Sequence, residues 1–164
     1  MSMIDSRQRG FTLIELIIFI VVVSAGLAGI LSVMNTVVKS SADPMIRKQT
    51  IAIAESLLEE ILLKDYAKPT GSTAVAYSGP GWPRNLADCV PDYSGYNTTT
   101  GIVDPTGATV SGLGSYNISA VTVANATAAD NVALAALVPP AKKITVSVTG
   151  PQGTISLTGY RANY

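Results

Sequence analysis

The chain has 164 residues, room for one domain plus terminal additions, and a formal net charge of +0, so no general attraction to nucleic acid or acidic lipid is built into it. It holds no His and a single Cys, Cys89. That removes the commonest general base and metal ligand and excludes an intrachain disulfide framework. Charged residues make up only 13%, about half the share usual in soluble domains, and the deficit is local: between residues 11 and 38 the only charge is Glu15.

Residues 1–10, MSMIDSRQRG, are short and polar, with Arg7 and Arg9 just ahead of an apolar run. That run, residues 11–38, is about 42 Å long as a helix, more than the roughly 20 residues that cross a bilayer. It is too long for the apolar region of a cleaved secretory signal. It therefore reads as a transmembrane helix, and Arg7, Arg9 and the free amine favour a cytoplasmic N-terminus with the remainder outside. Ser24, Gly26, Gly29 and Ser32 are small residues that let helices approach closely; ordinary membrane-helix composition explains them equally well. Glu15 is what a plain anchor leaves unexplained. A carboxylate in such a helix costs on the order of 2.5–3.5 kcal/mol on insertion scales. It must sit near an interface, be neutralised, or be paired. A cut after Gly10 creates an amine at Phe11, four residues away, with which a carboxylate of this or a neighbouring chain pairs.

The stretch RGFTLIEL at residues 9–16, behind a short basic leader and ahead of a long apolar helix, resembles the type III signal of type IV pilins and type II secretion pseudopilins. The resemblance rests on about a dozen residues. It implies that a prepilin peptidase cuts after Gly10 and N-methylates Phe11. It also implies that Glu15 supports assembly by neutralising the amine of an adjacent subunit, with Thr12 part of the same pattern. The implied partners are that peptidase, other pilin or pseudopilin subunits, the inner-membrane assembly platform and membrane lipid, with no nucleic acid. The implied location is the inner membrane, single-pass with a periplasmic head, and then a pilus or pseudopilus.

KSSADP follows the apolar run, and Pro44 predicts a kink or short break, because it removes one helical hydrogen bond and disfavours helix at Asp43. Residues 45–68 read as an amphipathic helix. Ile46, Ile53, Leu57 and Ile61, with Ala54, Leu58 and Leu62 on the adjacent row, recur at three- and four-residue steps. Glu60 and Lys64 form an i,i+4 pair on this reading, and Glu59 and Glu60 a solvated face. Pro69 and Gly71 end the helix. Such a helix docks on a head and holds it to the stalk.

Residues 69–115 are rich in Gly, Pro, Ser, Thr, Asn and Asp and read as a long loop region, with a short strand hidden near residues 73–77. Trp82, Tyr93 and Tyr96 are either a contact patch or anchors of a small core. Asp88, Asp92 and Asp104 fit no recognised calcium loop and read as turn residues, and Cys89 as a buried small side chain. Residues 116–164 carry the sheet: strands at 116–124, 143–149 and 154–160, the last two a hairpin about Gly150-Pro151-Gln152-Gly153, with an Ala-rich connection at 125–141 that holds a helical turn.

The organisation expected is a leader (1–10), a long helix (11–68, of which 11–38 spans the membrane and 45–68 is amphipathic), a loop region (69–115) and a sheet head (116–164). The fold class is α+β, a membrane and stalk helix packed on a small antiparallel sheet, as the pilin resemblance also implies. The C-terminal sequence, with DYSGY at residues 92–96, resembles minor pilins of the mannose-sensitive haemagglutinin pilus system. Many major pilins close a C-terminal loop with a disulfide, which one Cys cannot do. No phosphate loop, metal spacing or catalytic set is present, so no cofactor, metal or enzyme activity is expected. The reading is a structural, minor pilus subunit. The alternatives are a secretion pseudopilin and a membrane-anchored binding module or adhesin that never assembles.

Overall fold

A computed structural model describes residues 10–163, and of residues 38–42 the backbone alone. The leader residues before Gly10 lie outside it. Helix α1 spans Leu13–Leu62 as one element of 50 residues with Pro44 inside it, so the helical assignment runs through the proline rather than stopping there. The chain divides into two compact units, residues 1–42 and residues 43–164.

The first unit consists, where described, of the apolar half of α1. Leu13–Val37 is a 25-residue span of mean hydropathy 2.8, and none of it is buried within the chain. Phe11 is 76% exposed and Phe19 60%. Among the described residues nothing in this unit covers that surface, which is what a helix made for a lipid or helix-bundle surround requires.

The second unit has a core. Thr50, Ala54, Leu57 and Ile61 of α1, spaced four, three and four, are buried, the stripe of a helix laid on a sheet. Ala54, Leu57 and Ile61 join one apolar cluster with Ile118 and Val121 of β1 (Asn117–Asn125) and with Ile144, Val146 and Val148 of β2 (Lys142–Gly150). Each buried Leu, Ile or Val side chain contributes about 1.5–3 kcal/mol. Thr50 stands in the stripe because its hydroxyl donates back to the Ile46 carbonyl at 3.0 Å, so no polar group is left bare. β3 (Gly153–Arg161) completes an antiparallel sheet of order β1-β2-β3. Gly150 pairs with Gly153, so the hairpin loop is only Pro151–Gln152, two residues rather than four. The Gln152 amide donates to Asp43 at 2.7 Å. Gly150 admits no side chain: a Cβ there would lie 2.8 Å from the Thr50 hydroxyl and from the Tyr116 ring.

Three expectations change. The helix ends at Leu62, six residues short of Lys68. The backbone of Asp65 leaves it to bridge residues 88–90, donating to Asp88 O at 3.2 Å and accepting from Val90 N at 2.9 Å. Residues 73–77 form no strand, because the segment opposite them coils into two 3₁₀ turns, Arg84–Leu86 and Val90–Tyr93. Isolated bonds from Val75 N to Leu86 O and from Tyr77 N to Asp92 O take the place of a ladder. Glu60 and Lys64 do not pair with each other; both turn to the loop region, Lys64 donating to Ala87 O at 2.7 Å. The helical turn in the Ala-rich connection is α2 (Val132–Ala135), capped by Asn131, whose side chain accepts from Leu134 N.

The loop region is packed. Trp82, Tyr93 and Tyr96 are at most 5% exposed, and their rings, with that of Tyr77, meet edge to face at centroid distances of 5.5–5.8 Å. Of the two readings of these aromatics, the core reading holds. Cys89 is buried as well. Burial, and then the Asp92 carboxylate beside it, push its thiol up to about 11, so it remains protonated and unreactive at neutral pH.

Candidate functional site

Four residues of the expected signal fall at the start of α1. Gly10 and Phe11 precede the helix in irregular, exposed backbone, and no other group comes within 4 Å of the position a Gly10 Cβ would take. Thr12 is the N-cap: its carbonyl accepts from Glu15 N at 3.1 Å and Leu16 N at 3.2 Å, and its hydroxyl accepts from Glu15 N at 3.4 Å. Thr12-Leu13-Ile14-Glu15 thus has the spacing of a capping box, with the threonine half formed. The motif's Thr serves the helix itself, at the head of a T-x-x-E spacing that the sequence reading did not use.

Glu15 also stands in the first turn, where the helix dipole favours an anion. Among the described residues its carboxylate has no hydrogen-bond or ionic partner. Further along, Ala25, Gly26, Gly29, Ile30, Val33 and Met34 border a shallow apolar hollow, the place where small residues leave room for another helix.

The head carries no comparable chemistry. Asp88 accepts from the Ser72 hydroxyl at 2.6 Å, and Asp92 from the backbone N–H groups of Asp88 and Cys89. Asp104 accepts from the backbone and hydroxyl of Thr106 and from Ala108 N; the Thr106 hydroxyl bond above all holds its carboxyl below the usual range. Asp92 and Asp104 are spent on their own turns, and Asp88 ties its turn to Ser72. Among the described residues no group of three or more His, Cys, Asp or Glu could hold a metal ion. A charge pair at the buried Arg84 was not foreseen. Glu60 Oε1 accepts from the Tyr93 hydroxyl at 2.9 Å and lies 3.3 Å from Arg84 Nε, at the end of a cleft of about 270 Å³ between α1 and the loop region.

A family model, the prokaryotic N-terminal methylation motif, matches residues 5–31. No curated protein and no solved structure matches the chain. The motif supports a type IV pilin-like or pseudopilin protein, and the long apolar helix followed by a three-stranded antiparallel sheet is consistent with the α+β pilin fold. The motif and the exposed apolar helix support a membrane-anchored, pilin-like reading. The motif implies processing by a prepilin peptidase and assembly with other pilins. Pilin-type proteins are in general structural rather than enzymatic.

Proposed function

We propose that the chain is a structural, minor subunit of a type IV pilus. Prepilin peptidase cuts after Gly10 and methylates the new amine of Phe11. The apolar half of α1 holds the subunit in the inner membrane, with the head in the periplasm. The inner-membrane assembly platform then passes it to the filament, where lipid contacts are exchanged for helix contacts. Apolar surface is buried in both settings, so the exchange costs little apart from the Glu15 carboxylate and the amine.

Glu15 carries this reading. It is a carboxylate at the head of an exposed apolar helix, without a partner among the described residues, at a cost of about 2.5–3.5 kcal/mol if left alone deep in lipid. The amine released at Phe11 of a neighbouring subunit is its complement, and their pairing sets the stagger. Minor status is supported by the single cysteine and by the resemblance of the C-terminal sequence to minor pilins of the mannose-sensitive haemagglutinin pilus. Secretion pseudopilins share the motif; a gene position among secretion rather than pilus genes would assign the chain there.

The test is the intact mass of the protein recovered from membranes with and without co-expressed prepilin peptidase. Loss of residues 1–10 and gain of one methyl is expected. A full-length chain in both samples would refute the reading and leave a membrane-anchored module that does not assemble.

A further inference from the structure

The two edges of the sheet differ. The outer edge of β1 is sealed by residues 95–98: Gly95 N donates to Val121 O at 2.8 Å, Val121 N to Tyr96 O at 2.9 Å, Thr98 N to Ile118 O at 2.9 Å, and Ile118 N to the Thr98 hydroxyl at 3.0 Å. Among the described residues no such strip covers β3. Among the described residues, the backbone groups of residues 153–160 bond to β2 and to nothing else. An open edge is a template for pairing, and proteins usually blunt it with proline, a bulge, a short strand or inserted charge. Before Arg161, β3 has none of these. It is nine residues long, its register with β2 is unbroken, and residues 153–160 contain neither proline nor charge.

The core is also unfinished on that side. Ile144, Val146 and Val148 of β2 are fully buried, whereas Ile155 and Leu157 of β3, with Leu58 and Leu62 of α1 packed near Gly159, stay partly exposed. The other face shows what β3 accepts in a neighbour. Thr158, Ser156 and Thr154 pair hydroxyl to hydroxyl with Thr145, Ser147 and Thr149 of β2 at 3.0, 2.8 and 2.7 Å.

We propose that the free edge of β3 is a docking site for an extended segment of another polypeptide. That segment adds along residues 153–160 as a fourth strand of up to eight residues and is uncharged, with apolar side chains toward α1 alternating with Ser or Thr on the outer face. Backbone hydrogen bonds supply the affinity and the alternation the specificity. A second copy of this chain is the poorer occupant. Among the described residues its bare sheet edge is its own β3, so keeping apolar sides together forces antiparallel pairing about a two-fold axis, which closes as a dimer. A filament needs contacts that propagate, and this step alone rests on the proposed function.

The test uses the full chain in detergent. The probe is an uncharged peptide of its own β2 sequence, ITVSVTG (residues 144–150), free and also fused after Tyr164 through a flexible Gly/Ser linker, which raises the effective concentration to the millimolar range. The controls are the free peptide N-methylated at alternate amides and a fusion with proline at two of the same positions. Hydrogen exchange of the β3 amides is the readout. Alternate amides of residues 153–160 are expected to exchange rapidly in the parent and to slow at least tenfold with the peptide or fusion, but not with either control. Uniform protection of β3 in a monomeric parent, no slowing in the fusion, or equal slowing by the controls would each overturn the proposal. A dimeric parent with β3 protected would also overturn it, in favour of a second copy. The intact-mass test separates the two readings. A chain cut after Gly10 whose edge refuses the strand refutes this proposal alone. An uncut chain whose edge accepts it refutes the filament reading, leaves the docking edge standing and removes the objection to a second copy.

Discussion

Replacing Glu60 by Gln removes one charge from the head while keeping shape and hydrogen-bonding capacity. The new amide oxygen would still accept from Tyr93, but the Arg84 guanidinium, whose side chain is 8% exposed, would lose its counter-charge. Breaking a buried pair this way costs about 3–5 kcal/mol; since the carboxylate is 26% exposed, solvent recovers part of it, and about 2–3 kcal/mol is expected. Against a total of roughly 6–18 kcal/mol for a unit of about 120 residues, that is a large fraction. It corresponds to a fall in Tm of about 6–15 °C. The assay is thermal unfolding of the detergent-solubilised chain, followed by the fluorescence of Trp82, whose ring packs 5.7 Å from that of Tyr93. The double variant Glu60→Met/Arg84→Met should regain most of the loss, because the pair gains little over apolar side chains of similar volume once both desolvation costs are gone. A loss below about 1 kcal/mol in Glu60→Gln, or a double variant no more stable than the single one, would refute the assignment of this pair as a buried latch between α1 and the loop region.

Glu15→Val should leave membrane insertion intact and lower incorporation into sheared filaments at least tenfold, measured by immunoblot of filament and membrane fractions; equal incorporation would remove the pairing role. Cys89 gives a pH signature. Its thiol is raised from 9.0 to about 11 in the fold, so the unfolded chain ionises first: the contribution to stability is complete below pH 9 and is lost as pH rises from 9 to 11. Urea midpoints across that window should fall more steeply for the parent than for Cys89→Ala, and identical slopes would show that burial does not hold the thiol up. Gly150→Ala should cost about 1–3 kcal/mol by overpacking, seen as a lower Tm, since its Cβ would meet the Thr50 hydroxyl and the Tyr116 ring at 2.8 Å.

The N-terminal segment was legible because its signal is local and additive: a basic leader, Gly10, an aromatic, then a single carboxylate in 28 residues without other charge. The strands of the head were legible for the same reason. Ile144, Val146 and Val148 alternate with Thr145, Ser147 and Thr149, and the structure buries the first set and turns the second outward. Both elements are set by near neighbours, so periodicity alone reports them.

Residues 69–115 resisted because their order comes from distant partners. Composition marks Trp82, Arg84, Tyr93 and Tyr96 as lying in a loop; only the return of the chain to α1 puts Arg84 beside Glu60, 24 positions earlier, and Tyr93 onto the same carboxylate. The helix end at Leu62 was missed for the same reason. Nothing in LKDYAK stops a helix, but Asp65 gains backbone bonds to residues 88–90, the Tyr66 hydroxyl reaches Pro140 O at 2.6 Å, and Arg161 donates to Lys64 O at 3.2 Å. Several long-range hydrogen bonds outweigh the small propensity of one further helical turn. The open edge of β3 belongs with these features. Its sequence reads like any half-buried strand, and only the position of residues 95–98 on the opposite edge shows that one side of the sheet is closed and the other is not.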